Sequence, residues 1–244
     1  MTICENVAAV QARIADACRK AGRDPASVTL IAVSKTHPPE DVLTALACGL
    51  QHFGENRVEE SSIKLPAVSA RTEAPLTWHM IGHLQSRKAR DAAALFDWVH
   101  SVDTVRLANK LSTAVADLRP ERSMQVFLEV NVSGEASKSG FDAAEWASST
   151  AQQRELVQSV QQILALPGLN VRGLMTMAPV VEDAEQARPV FSSLRRLRDF
   201  LVAETGCPLS DLSMGMTDDY PVAIEEGATF VRVGRAIFGE RIYT

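Results

Sequence analysis

What this sequence lacks sets its first limits. No G-x-G-x-x-G follows an early apolar run, so an open dinucleotide-binding sheet loses its usual support. The four cysteines, Cys4, Cys18, Cys48 and Cys207, are scattered without C-x-x-C spacing. Reduced thiols in a cytoplasmic protein are therefore expected, with Cys18 and Cys48 acting as small hydrophobes inside helical patterns. There is no basic excess: 25 Lys and Arg face 30 Asp and Glu, for a net charge of −5. A polyanion-binding surface needs a basic patch or stripe, so nucleic acid is excluded as the main partner. No apolar run approaches the roughly 20 residues that span a bilayer, and no secretory leader pattern opens the chain. A cytoplasmic monomer with no membrane partner is the expectation.

What is there is a rhythm. Short apolar, β-branched runs predict strands at Thr29–Ser34, Gln51–Gly54, Thr77–Ile81, Trp98–Val102, Gln125–Asn131, Val171–Met175, Asp211–Met214 and Phe230–Val233. Between them, patterns such as "TVRLANKLSTAVADL" and "ELVQSVQQILAL" repeat apolar residues at i, i+3, i+4 and i+7, as helices packed on a sheet do. Alternation of this kind means parallel pairing through crossover helices. Eight units over 244 residues predict one α/β domain, a single (β/α)8 TIM barrel spanning 1–244. A helix over Glu5–Ala21, stopped by Gly22, is expected to cover the barrel base. Ser133–Gln153, rich in Ser, Gly and Ala, is expected to be a long loop with one short helix.

In such a barrel the functional groups gather at the carboxyl ends of the strands. The first predicted strand, in "LIAVSKTHPP", ends on Lys35. A lysine there either leaves the strand for solvent or acts as a Schiff-base amine kept partly neutral by desolvation. At the far end of the chain, "FVRVGRAIFG" sets Gly234 directly after the last strand, where backbone N–H groups can approach an anion. "SMGMTDD" adds the Ser213 hydroxyl and Gly215 after strand seven; loops seven and eight commonly form a barrel's phosphate site. Arg232, two residues before Gly234, points to the same side and needs a partner: a carboxylate such as Glu129, or a ring nitrogen of a ligand. Asp218 and Asp219 read as charges at a helix start rather than as a metal pair. His79 and His83 straddle a strand–loop junction, and His79 reads as a hydrogen-bonded strand residue. Lysine, arginine and phosphate cradle together point to pyridoxal 5′-phosphate held in a barrel.

At this point the sequence resembles a known family. "AVSKTHP", "FGENRVEE", "WHMIGHLQSRK", "SKSGF", "RGLMTMAP" and "LSMGMTDDYPVAIEEGATFVRVGRAIFGER" run in order along nearly the whole chain. They resemble the signature blocks of the pyridoxal phosphate homeostasis protein family, itself similar to the barrel domain of bacterial alanine racemases. The resemblance implies that Lys35 carries the cofactor as a Schiff base and that Ser213 and the backbone of Gly234 and Arg235 hold its phosphate. It further implies that Arg232 faces the pyridine nitrogen and that Asn56 lies beside the cofactor. Arg87 and Arg235 depart from the family pattern, where asparagine and serine or threonine are common.

The implied role is vitamin B6 homeostasis without turnover, and amino acids and PLP-dependent apoenzymes are the further partners it brings into view. Arginine cannot accept the pyridinium proton, so the ring would be a weak electron sink. Neither Tyr220 nor Tyr243 has an evident place opposite Lys35 as a second base. The alternatives are a low-activity racemase or lyase, a cofactor-free Schiff-base aldolase, and a protein-binding module. On the sequence alone, Arg232→Ala is expected to change cofactor affinity more than folding.

Overall fold

Each apolar run of the sequence becomes a strand because both of its faces are covered, one by helices and the other by the barrel interior. The computed structural model describes residues 1–239. Its strands are β1 (Thr29–Val33), β2 (His52–Glu55), β3 (Thr77–Met80), β4 (Trp98–Val102), β5 (Met124–Asn131), β6 (Phe141–Asp142), β7 (Leu169–Met175), β8 (Asp211–Met216) and β9 (Phe230–Val233). All pairings are parallel, and β1–β2–β3–β4–β5–β7–β8–β9 closes back onto β1. This is the eight-stranded barrel expected; β6 adds two residues beside the end of β5.

The strands are joined by α2 (Pro39–Ala47), α3 (Val58–Ser69), α4 (Ala89–Leu95), α5 (Val105–Leu118), α6 (Thr150–Leu164), α7 (Arg188–Thr205) and α8 (Tyr220–Glu225), with α9 (Arg235–Phe238) after the last strand. One large apolar layer lies between helices and barrel. A second cluster, Ile31, Phe127, Met175 and Phe230, fills the barrel interior.

Three expectations are corrected. The first helix, α1 (Ile3–Lys20), buries Val7, Val10, Ile14, Ala17 and Cys18 against the outer helices α2, α8 and α9 rather than lying across the barrel base. Because α9 is a single turn, α1 completes the helical ring; Asn6 Nδ2 donates to the Ile237 carbonyl (2.9 Å) and Arg23 to that of Ile224 (2.7 Å). The stretch Ser133–Gln153 holds β6 and turns instead of a short helix, and α6 already begins within it at Thr150. Finally, Cys4 and Cys48 form a disulfide, with Cα atoms 5.3 Å apart, joining the first turn of α1 to the end of α2. Only Cys18 and Cys207 are free thiols. No described helix is long and apolar enough to cross a membrane.

Candidate functional site

Lys35 follows β1 in a tight turn closed by the His37 N–H donating to the Ser34 carbonyl (3.0 Å). The next residue, Thr36, takes φ 68°, a left-handed conformation that costs a β-branched residue on the order of 1–3 kcal/mol. Such strain persists only where the surroundings over-determine it, and here they do. The buried ammonium of Lys64 donates to the Ser34 carbonyl (2.8 Å) and to Glu55 (2.9 Å), and the Ser34 hydroxyl donates to the same Glu55 oxygen (2.7 Å). The turn carrying Lys35 is thus stapled to α3 and β2, which fixes where the half-buried Lys35 stands.

Lys35, Asn56, Arg232, Gly234 and Arg235 meet at one cavity of about 290 Å³ at the carboxyl end of the barrel, walled also by Ile81, Met177, Met216, Thr217 and Asp218. That volume is at the lower end of small-molecule clefts, roughly 300–1,000 Å³. Five of the six site residues predicted from sequence are therefore brought together. The sixth, Ser213, is not: it is fully buried beneath Arg232, and its hydroxyl is taken up by His100 (2.8 Å) and Arg232 (2.7 Å). The reason is strand length. β8 runs on to Met216, two residues past its predicted end, so the hydroxyl at the mouth is that of Thr217, which accepts from the Gly234 N–H (3.4 Å). Gly215 does not approach the cavity's ligand space either. With φ 92°, a Cβ there would meet the Ala223 Cβ at 2.6 Å, so this glycine makes room for α8.

Arg232 is buried and donates to the Ser213 carbonyl (3.0 Å), the Ser213 Oγ (2.7 Å) and the Thr176 carbonyl (2.9 Å). Burial lowers its pKa to about 10, so it stays charged at neutral pH. Asn56 lines the cavity, and its side-chain oxygen is buried with no hydrogen-bond partner. Gly82 holds Asn56 in place from behind: a Cβ there would lie 2.4 Å from the Asn56 carbonyl. Arg235 is exposed and ion-paired with Asp218 (2.5 Å). Tyr220 is buried with Arg13 over its ring, away from the cavity, and Tyr243 lies outside the described residues. His79 lies deep in the barrel interior, and among the described residues no His, Cys, Asp or Glu cluster could hold a metal ion.

Glu129 is buried on β5, where desolvation first, and then the nearby charge of Asp103, raise its pKa to about 7 against the pull of Arg232. Between its unfolded and folded values the folded state holds a proton that the unfolded state has lost, so stability falls as pH rises across that window. Glu129→Gln is accordingly expected to stabilise the protein by up to about 3 kcal/mol near pH 8 and to be almost neutral near pH 4. Urea unfolding at both pH values checks this; an equal effect at the two would contradict it.

The chain is similar to known proteins along its whole length. The family model for the alanine racemase N-terminal domain matches residues 6–242. The pyridoxal phosphate homeostasis protein of Pseudomonas aeruginosa is 46% identical over 244 residues, covering 99% of this chain and 97% of that one. The chain belongs to the pyridoxal phosphate homeostasis protein family. The family member from Aquifex aeolicus is 40% identical over the full length of both chains. Among solved structures, PipY of Synechococcus elongatus with PLP bound superposes with a TM-score of 0.79 at 37% identity, covering 98% of this chain and 100% of that one. An alanine racemase from Clostridium difficile, at 12% identity and a TM-score of 0.67, shares the fold over 58% of its own length.

Proposed function

We propose that this protein binds pyridoxal 5′-phosphate through Lys35 and serves in its homeostasis as a carrier without turnover. The observation that carries the reading is the meeting of an amine, a buried guanidinium and an anion cradle in one small cavity. The Lys35 amine would add to the ligand's aldehyde with loss of water, giving a reversible C=N bond. Thr217 and the backbone of Gly234 and Arg235 would hold the phosphate, with the Arg235 guanidinium paired to Asp218 beside it. At Gly234 a Cβ would crowd the Val33 carbonyl at 3.3 Å, so glycine keeps this backbone close to β1. Arg232 would face the ring nitrogen, and Asn56 would lie beside the ligand.

When bound, the group supplies an electrophilic carbon and a conjugated electron sink. The protein's own residues limit the use of that sink: Arg232 is a donor that cannot take up a pyridinium proton. A cytoplasmic setting belongs with this reading; the Cys4–Cys48 pair is the observation that pulls against it, since paired cysteines are rare in reducing compartments.

Incubation with pyridoxal 5′-phosphate is expected to give a visible absorption band. Borohydride reduction should then fix the adduct on the peptide containing Lys35, and Lys35→Ala should lose both. An adduct only on Lys64, Lys88 or Lys138 would sink the assignment. Amino-acid turnover that disappears in Lys35→Ala would replace the carrier by an enzyme.

A further inference from the structure

A chain of hydrogen bonds runs through the barrel interior and ends at the cavity. His52 Nδ1 is 3.0 Å from His79 Nε2, His79 Nδ1 is 2.9 Å from His100 Nε2, and His100 Nδ1 is 2.8 Å from Ser213 Oγ. Arg232 then donates to that same Oγ at 2.7 Å. The chain starts at the first residue of β2, at the amino end of the barrel, passes through β3 and β4, and crosses the interior to β8 and β9. His79, His100 and Ser213 are fully buried among Trp98, Phe127 and Phe230.

Arg232 can only donate, so Ser213 Oγ must accept from it. If His100 Nδ1 also donated to that oxygen, the Ser213 hydroxyl hydrogen would be left without either of these two partners in a dry interior, at a cost of about 1–3 kcal/mol. The opposite direction satisfies every group. Ser213 donates to His100 Nδ1, His100 Nε2 donates to His79 Nδ1, and His79 Nε2 donates to His52 Nδ1. An extra proton anywhere in this row would set two donors face to face. Burial, and then the neighbouring charges, hold His79 and His100 well below the ordinary imidazole pKa and hence neutral.

We propose that His100, backed by His79 and His52, is a positioning residue for Arg232: by holding the Ser213 hydrogen it keeps the Ser213 lone pairs turned toward the guanidinium. Without His100 the hydroxyl is free to rotate and to present its hydrogen to a cation. The guanidinium plane then rests on the two carbonyls of Ser213 and Thr176 alone. Its effect on ligand binding rests on the reading of the cavity as a pyridoxal 5′-phosphate site; the direction of the relay does not.

Two variants separate this role from mere packing. In His100→Asn the amide oxygen stands near the position of Nδ1 and can accept from Ser213, whereas in His100→Gln the amide nitrogen stands near Nε2 and keeps only the bond to His79. His100→Asn is expected to bind pyridoxal 5′-phosphate within about threefold of the unsubstituted protein and His100→Gln at least about tenfold more weakly. Long-range nitrogen–proton NMR of the ligand-free protein near pH 7 should find His79 and His100 both protonated at Nε2 only. A proton on His100 Nδ1 overturns the proposal whatever the variants do, as do equal losses in the two variants. No adduct with the unsubstituted protein would overturn the ligand reading instead, and the NMR result alone would then decide the relay.

Discussion

Gly173→Ala is expected to prevent the barrel from closing, with a loss of more than about 4 kcal/mol, at the top of the range for single substitutions. The cause lies in the register of β7. Val171 pairs with Val126 and Gly173 with Phe127, so Arg172 is an extra residue and the strand bulges there. The bulge brings Gly173 against Asp211 of β8: a Cβ on residue 173 would lie 1.8 Å from the Asp211 carbonyl oxygen and 2.7 Å from its carbon. Those atoms are backbone and cannot swing aside. Asp211 is held further by Arg172, which donates to its carboxylate at 3.0 and 2.8 Å. Relief would have to come from parting β7 and β8. Gly206→Ala provides the contrast: φ is 69° at the end of α7, with nothing within 4 Å of an added Cβ. There only the backbone conformation is penalised, by about 1 kcal/mol. Urea unfolding of both variants tests the argument, and a Gly173→Ala protein that folds with a loss under about 2 kcal/mol would refute it.

The bulge marks the boundary of what could be read in advance. Eight apolar runs alternating with helical patterns define the barrel because periods of 2 and 3.6 are local properties. Lys35, Asn56, Arg232, Gly234 and Arg235 converge because each lies within the last two residues of a strand or just after it, and parallel strands deliver all their ends to one mouth. Thr217 was missed through a two-residue error in the end of β8, enough to move the hydroxyl from mouth to interior. The extra residue at Arg172 leaves no trace in the hydrophobic pattern. The pairing of Cys4 with Cys48 depends on how α1 packs beside α2, across a separation of 44 residues. The relay depends on a contact between His100 and Ser213, which are 113 residues apart on strands that are not neighbours. Alternation can say that each faces inward; it cannot say that they meet.

For Arg232 the structure leads to a different expectation from the one drawn from sequence. Arg232→Ala should unfold the protein readily, losing about 3–5 kcal/mol before any ligand is present. The guanidinium joins β9 to the carbonyl of Ser213 on β8 and to that of Thr176 just after β7, and Ser213 and Thr176 are themselves buried. Removing it takes the side-chain donor from both carbonyls, leaving that of Ser213 only the Thr176 N–H (3.2 Å), and takes a compensating charge from beside Glu129. Arg232→Lys keeps a charge, but a single ammonium cannot match a planar fork that reaches Ser213 and Thr176 together, so it should recover only part of the loss. Urea unfolding near pH 7 without pyridoxal 5′-phosphate distinguishes the two roles. A loss below about 1 kcal/mol in Arg232→Ala, accompanied by weakened ligand binding, would make Arg232 a ligand contact first. The larger loss would mean that the cavity's central cation is also the clasp between the strands that form its walls. Ligand binding and barrel closure would then draw on the same side chain, and no substitution at 232 could abolish the one while sparing the other.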